Sequence, residues 1–383
     1  MGGSMTRVYL IRHGEAEGNI YRRAQGQYNS YITKKGERQI AALAERFKDE
    51  HIDALYSSDL RRTITTAGAI TKYHNLEIVT DPRLREISIG VWEDRPWGNL
   101  TLENPKNMWC FNNDPANWST EGGESYEALQ SRMFEVVTEI AARHDGQTVV
   151  CVSHGTAIRS LICKIKNVAS SDITTIEHGD NTCVSLLEIE GGSIKIDYYN
   201  DNRHIPQSMS TFANQAWWQH EDSIDDSNLW FAQLNPERER EFYCKCYAEA
   251  WRHAHRTLEG FQPKIYLSEA ILHRKADPFA VLKAMQDEEA VGIIDLDPMR
   301  GKSEGFGWIS LIFVSEEKRR KQLGVQLLGH AIAFFRKRSM KKLRLHVALE
   351  NKSAIAFYEE YSFVTVSRTD GFFGPLLLME RDI

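Results

Sequence analysis

No apolar run in this chain of 383 residues approaches the roughly 18 residues that cross a bilayer, so no membrane-spanning helix is expected. No charged-then-apolar leader opens it either. Cysteine is scarce: there are six, at Cys110, Cys151, Cys163, Cys183, Cys244 and Cys246, most of them inside apolar stretches. None has CxxC spacing, and Cys244 and Cys246 stand one residue apart with no second pair, which argues against a zinc site. Reduced thiols in a cytoplasmic protein are the simple expectation. Neither sign of charge dominates: 47 Lys and Arg face 53 Asp and Glu, a net charge of -6. Nothing global therefore advertises nucleic acid or an acidic membrane surface as a partner. Internal repeats and low-complexity tracts are absent as well.

What is present is ordinary for a globular protein, 42% hydrophobic and 26% charged. At roughly 100–200 residues per domain, the length suits two domains. The residues before Met5 read as a leftover of cloning and are set aside. The first half alternates strands and helices. "RVYLIRH" reads as a strand, "KKGERQIAALAERFKDE" as an amphipathic helix, and "ALYSS" as a strand running into the helix "DLRRTITTAGAITKYH". "SYEALQSRMFEVVTEIAARH" puts Leu129, Met133, Val136, Val137 and Ile140 on one side of a long helix. "TVVCVS" follows as a buried strand and "TAIRSLICKIK" as a helix. This alternation predicts a mostly parallel sheet covered on both faces. "TCVSLLEIE" and "SIKIDYYN", joined by Gly-Gly, predict a hairpin.

The composition changes after about Asp201. "NQAWWQHEDSIDDSN" is polar and acidic, and Trp217 and Trp218 in it read as packing between domains. Beyond it "NLWFAQL" is a strand candidate and "PEREREFYCKCYAEAWRHAHRTL" a helix with Pro236 near its first turn. Three strands in a row, "FAVLKAMQ", "EAVGIIDLD" and "FGWISLIFV", are followed by helix, strand, helix and two more strands. That order is α+β, unlike the first half.

Two apolar strands in the first half end on His-Gly pairs. Val8 to Ile11 run into Arg12, His13 and Gly14, and Val149 to Val152 lead to His154 and Gly155. Parallel α/β sheets place ligands at strand ends. "SSDLRRT" adds Arg61 and Arg62 after a third strand, at a helix start that aims free backbone N–H groups at an anion. A neutral imidazole surrounded by cations is suited to attack phosphorus, because the cations neutralise the phosphate dianion.

"RHGEAEGN", "RAQGQYNSYITKKGERQ", "SSDLRRTITTA", "LREISIGVWED", "GGES" and "VVCVSHGTAIRSL", in this order, resemble the phosphoglycerate-mutase-like branch of the histidine phosphatase superfamily. The resemblance covers residues 5–205 and implies a three-layer α/β/α domain with a mostly parallel sheet. It implies that His13 is the nucleophile that becomes phosphohistidine, with Arg12, Arg62 and His154 completing the phosphate pocket. Glu86 would be the general acid, Asn19 and Arg23 would lie at the pocket rim, and Glu124 near its mouth. His204 matches a common family position without an assigned role. Thr65 and Asn29 depart from the family's frequent glutamine and aspartate. The arginines supply the positive charge, so no metal is expected. The brevity of the domain favours a phosphatase over a mutase, which must shield its intermediate from water. Arg83, Arg85, Arg95 and Trp92 are candidates for shaping substrate choice.

In the second half, "WISLIFVSEEKRRKQLGVQLLGHAIAFF" sets a strand, a basic turn and an amphipathic helix in series. Such a turn can cradle a pyrophosphate on backbone N–H groups. With "HVALENKSAIAFYEEYSFVTV" it resembles the GNAT acetyltransferase family over residues 226–383, which implies an α+β acyl-CoA N-acyltransferase fold after a linker at 206–225. The resemblance implies acetyl-CoA as co-substrate. Its pyrophosphate would be held by Arg319, Gln322, Leu323, Gly324 and Val325, Asn351 would lie at the cofactor, and Tyr358 would protonate the departing thiolate. Gln322 and Ser362 stand where the family has glycine. Glu304 is a candidate base for the amine. The expected protein takes a small phosphorylated substrate and an amine acceptor as a bifunctional enzyme. The alternative is a phosphatase, or a related phosphotransferase, with a CoA-binding regulatory domain. The oligomeric state is not legible.

Overall fold

A computed structural model describes residues 4–214, 228–371 and 373–383. Trp217 and Trp218 lie outside the described residues. The described residues fall into two compact units divided between 214 and 228, with the short stretch Pro96–Asn99 grouped with the second.

The first unit is built on β1 (Thr6–Arg12), β2 (Ala54–Ser57), β3 (Ile78–Thr80), β4 (Thr148–Ser153), β5 (Val184–Glu190) and β6 (Ser193–Asp201), in the order β3-β2-β4-β1-β5-β6. β3, β2, β4 and β1 are mutually parallel, and β5 and β6 close one edge antiparallel. Alternate residues of β1 and β4 are buried on both faces, so these strands read as continuous apolar runs. On one face Tyr9, Ile11, Val150 and Val152 pack against Leu43 and Phe47 of helix Lys34–Phe47 and Ala67 and Ile70 of helix Arg61–Thr71. Val8 and Leu10, fully buried, point the other way, toward helices Tyr126–Arg143 and Gly155–Lys166. Each such side chain contributes about 1.5–3 kcal/mol of burial. Thr33 and Ser125 cap two of these helices, accepting from the N–H groups of Gly36 and Ala128. Gly191 and Gly192 turn the β5–β6 hairpin with φ of 57° and 84°, a conformation natural to glycine. The three-layer architecture is the one the resemblance implied. Two helices, Trp97–Glu103 and Pro105–Asn113, form where the sequence predicts no element.

The second unit holds β7 (Trp230–Gln233), β8 (Val281–Gln286), β9 (Glu289–Asp297), β10 (Phe306–Val314), β11 (Lys342–Ala348), β12 (Val364–Gly371) and β13 (Gly374–Asp382), in the order β12-β13-β11-β10-β9-β8-β7. The helix expected to open at Pro236 starts at Arg240, because Asn235 accepts from the N–H groups of Glu237 and Arg238 and holds a turn there. A further helix, Pro263–Ala276, was not anticipated. All neighbours in this sheet are antiparallel except β10 and β11. That parallel ladder runs only from Phe306↔Lys342 to Trp308↔Arg344, although both strands continue. Beyond Trp308 the strands part, and Ser310 forms a bulge against β9 at the same level.

Candidate functional sites

Parallel register brings the two histidines of the first unit together. Arg12 at the end of β1 is level with Ser153 at the end of β4, so His13 and His154 leave the sheet side by side. Their ring centroids are 5.3 Å apart, and both rings are buried. His13 Nδ1 lies 2.8 Å from the Gly14 carbonyl oxygen. A carbonyl only accepts, so Nδ1 carries the proton and Nε2 keeps its lone pair. His154 Nδ1 accepts from Arg62 Nε at 3.1 Å, which leaves Nε2–H to donate to Ser58 Oγ at 2.9 Å. Burial, then the nearby Arg62 and Arg12 charges, hold His13 well below the ordinary imidazole range. His154 is held low by burial, then by Arg62.

Arg62 is fully buried and donates to the carbonyls of Tyr28 (2.9 Å) and Gly26 (2.6 Å). Burial lowers it to about 10, so it remains a cation at neutral pH. Arg12 donates from Nη1 to the Gly179 carbonyl, while its Nε finds no acceptor among the described residues. A Cβ at Gly155 would stand 3.2 Å from that Nε, so the guanidinium lies against a bare backbone. Phe212 covers Arg12 with its ring centroid 5.3 Å from Cζ. Phe212 belongs to the stretch expected as the start of a linker. Instead, Ser210 Oγ and the Thr211 N–H donate to the buried Asp180 at 2.5 and 3.1 Å, and Thr211 Oγ1 donates to the buried Glu15 at 3.0 Å. These carboxylates come from distant parts of the sequence, which is why the polar composition of 206–214 read as a connection.

Glu86 is buried beside the same cluster. Its carboxylate accepts from the N–H groups of Thr156 (3.0 Å) and Ala157 (2.8 Å), at the start of the helix that follows His154, and from Ile87 (3.0 Å). Arg132, missed in the sequence, clamps the loop that carries it, donating to the carbonyls of Arg83, Arg85 and Glu86 at 2.6, 2.7 and 3.0 Å. Its other partner is Glu124, at 2.6 Å, so Glu124 holds Arg132. Asn19 accepts from the Ala16 N–H at 2.9 Å. Arg23 is buried in an ion pair with Asp94 at 2.6 Å. Arg83, Arg85 and Arg95 pair with Asp81 and Glu139, Asp59, and Glu103. Trp92 packs among Phe111 and Trp118. His204 bonds Arg46 and Thr182 at 3.2 and 3.1 Å. Ser58 and Thr66 belong to the same "SSDLRRTITTA" stretch as Arg62, and Thr66 accepts from the Gly14 N–H at 2.9 Å.

In the second unit, helix Leu323–Arg336 begins with no side-chain cap, so its first N–H groups are left for a ligand or solvent. Arg320 and Gln322 lead into it with φ of 63° and 59°, a left-handed pair that turns successive N–H groups to one side. Leu323 and Val325 are buried behind these N–H groups. A Cβ at Gly324 would touch Phe357 at 3.4 Å, so little space separates the helix start from helix Lys352–Glu360. These features fit a pyrophosphate. Arg319 is turned inward, donating to the Val314 carbonyl at 2.9 Å and lying 3.1 Å from His253 and 3.3 Å from Glu249. Asn351 caps helix Lys352–Glu360 through the Ala354 N–H at 3.2 Å. Tyr358 is buried between Phe357 and Phe363, and that burial raises its phenol. Glu304 lies on an exposed turn before β10, six residues ahead of Ser310, where β10 and β11 part, a span of up to about 20 Å at roughly 3.3 Å per residue, so it does not fit a base there.

Residues 8–202 match the histidine phosphatase superfamily (branch 1), and residues 237–363 match the acetyltransferase (GNAT) family. The chain belongs to the histidine phosphatase superfamily and carries a GNAT-type domain in its second half. Over 186 residues it is 32% identical to "Phosphoserine phosphatase 1" of Hydrogenobacter thermophilus, covering 49% of this chain and 88% of that protein. It is 37% identical over 161 residues to "Probable phosphoglycerate mutase GpmB" of Serratia proteamaculans, covering 42% of this chain and 75% of that protein. Among solved structures, Bacillus stearothermophilus YhfR is similar with a TM-score of 0.51 at 31% identity, over 52% of this chain and all (100%) of that one.

Proposed function

We propose that the chain is a bifunctional enzyme that hydrolyses phosphomonoesters through a phosphohistidine and acetylates an amine with acetyl-CoA. The observation that carries the first activity is the pair of buried neutral imidazoles 5.3 Å apart between Arg12 and Arg62. His13 Nε2 attacks phosphorus, and the P–O bond to the leaving group breaks. Arg12, Arg62 and the Nε2–H of His154, which exchanges Ser58 Oγ for the phosphoryl group, hold the three phosphoryl oxygens and the charge that builds on them. Glu86, beside Arg62, exchanges the proton with the leaving oxygen, and Arg132 keeps its loop in place. Water then cleaves the P–N bond and returns His13 to its neutral form. Asn19 and Arg23 shape the entrance. The names of the relatives make phosphoserine and phosphoglycerates the first substrates to try.

The second activity is supported by the uncapped helix start, the parted β10 and β11, and the buried Tyr358 on the following helix. Acetyl-CoA would lie with its pyrophosphate on the N–H groups of Gln322 to Val325 and its thioester in the cleft. Arg319 would act by holding the loop. Tyr358 would give its proton to the departing thiolate. The two activities would divide between residues 5–205, with 206–214 packed against the first site, and residues 226–383.

Rapid quench of the full chain with 32P-labelled substrate tests the first proposal. An acid-labile, base-stable label on His13 is expected. A chain that hydrolyses substrate while His13→Ala still takes up label would remove it. Acetyl-CoA supplied with and without amines tests the second, through release of free CoA thiol. Binding without release in any amine would leave a regulatory CoA module.

A further inference from the structure

We propose that His346 is the base that takes the proton from the acceptor amine, a role that rests on the acetyl-transfer reading above. β11 alternates: Leu343, Leu345 and Val347 are buried on one face, while Arg344 and His346 lie on the other. Gly307 backs onto Phe335 of helix Leu323–Arg336, so its neighbour Trp308 faces away from that helix. Trp308 is in register with Arg344, and its ring meets that of His346 edge-on with centroids 4.9 Å apart. The rung between Trp308 and Arg344 is the last that joins β10 to β11. His346 is therefore the first residue of its face past the point where the strands part. It stands on the wall of the cleft, at the level of the bulge at Ser310.

The imidazole is exposed and makes no hydrogen bond among the described residues. Three acidic groups on the strands nearest β10 and β11 are committed. Asp295 is buried and bonded to His273 (2.7 Å) and Tyr243 (2.7 Å). Glu380 pairs with Arg344 at 2.6 Å and also with Lys342, and Asp297 lies 3.4 Å from His273. The groups around His346 favour its neutral form. Arg300 lies over the Trp308 ring, 3.4 Å from its centroid, and partial burial followed by this charge lowers the imidazole. The Arg344 charge is compensated by Glu380, and Leu378, the β13 partner of His346, is apolar.

The steps balance. An alkylammonium gives one proton to His346, and the free amine attacks the thioester carbonyl carbon. The C–S bond breaks, and the thiolate takes the Tyr358 proton. The tyrosinate recovers a proton from the new amide nitrogen, and His346 releases its proton to solvent. Amine and acetyl-CoA become acetamide and CoA, with no further reactant.

The test uses the full chain, acetyl-CoA, a panel of primary amines and thiol release between about pH 5.5 and 9. For His346→Gln, kcat is expected to fall at least about 100-fold, within the range for removal of a general base. Acetyl-CoA affinity by calorimetry and phosphate release should stay as in the native chain. The pH profile should then follow only the fraction of free amine, and added imidazole should restore part of the rate to His346→Ala. A His346→Gln chain with the native rate and pH profile overturns the proposal. So does one that loses acetyl-CoA affinity along with rate, which would make His346 structural. A native chain that binds acetyl-CoA but acetylates no amine sinks the acetyl-transfer reading itself, and His346 with it.

Discussion

His13 and His154 remain neutral at pH values where exposed imidazoles begin to protonate, because burial and two guanidinium groups disfavour a third charge. An imidazole lowered in this way keeps its lone pair below pH 6.5, where an ordinary histidine is mostly protonated, so His13 protonation does not limit activity just below that pH. In a kcat/KM profile for phosphate release, the acid limb attributable to the enzyme is expected below pH 6.5. A half-maximal point at or above it, unexplained by substrate titration, would contradict the burial account. His13→Ala, which removes the proposed nucleophile, should cost at least about 1,000-fold in phosphate release. Arg132 acts at one remove. Arg132→Ala should lower kcat for phosphate release by roughly 10-fold or more, because a displaced carboxyl loses much of its proton-transfer efficiency. Its KM should move less, and Arg132→Lys should restore little, since one ammonium cannot reproduce a planar fork that reaches three carbonyls.

The elements place these residues by register. Parallel pairing sets Arg12 opposite Ser153, and each of the two buried imidazoles is the next residue along. Helix Gly155–Lys166 starts on a glycine, and the Arg12 guanidinium lies against it. Gly155→Ala should displace that guanidinium by a few tenths of an ångström and weaken inhibition by vanadate, while thermal stability changes little. Unchanged vanadate affinity would show that the guanidinium accommodates the methyl. In the second unit Ser362 occupies a left-handed turn, φ 67°, where the family has glycine. Ser362→Gly should stabilise that unit by about 0.5–1 kcal/mol, measured by denaturant unfolding. The strand–helix alternation of the first unit and the strand run of the second were legible because period and turn chemistry are local. Helix Pro263–Ala276 is less legible, and Pro263 at its first turn is its one local signal.

At the scale of the whole chain, two families with separate chemistry share one polypeptide. Tyr358→Phe should slow acetyl transfer and leave phosphate release unchanged, and His13→Ala should do the reverse. A variant that remained folded but lost both activities would show that the sites depend on each other. The sequence alone carried the two histidines, Arg62 and the basic turn to the ends of strands, because each follows an apolar strand in a motif of neighbouring residues. Tertiary structure alone decided which charges are free to act. Arg23, Arg85 and Arg319 look like available cations in one dimension, yet each is tied to a partner many residues away. Phe212 reached Arg12 from a stretch that reads as linker, and His346 gained its position from the parting of two strands. Hydrophobic period is written between near neighbours, whereas the pairing of charges and the opening of a sheet depend on segments that meet only after folding.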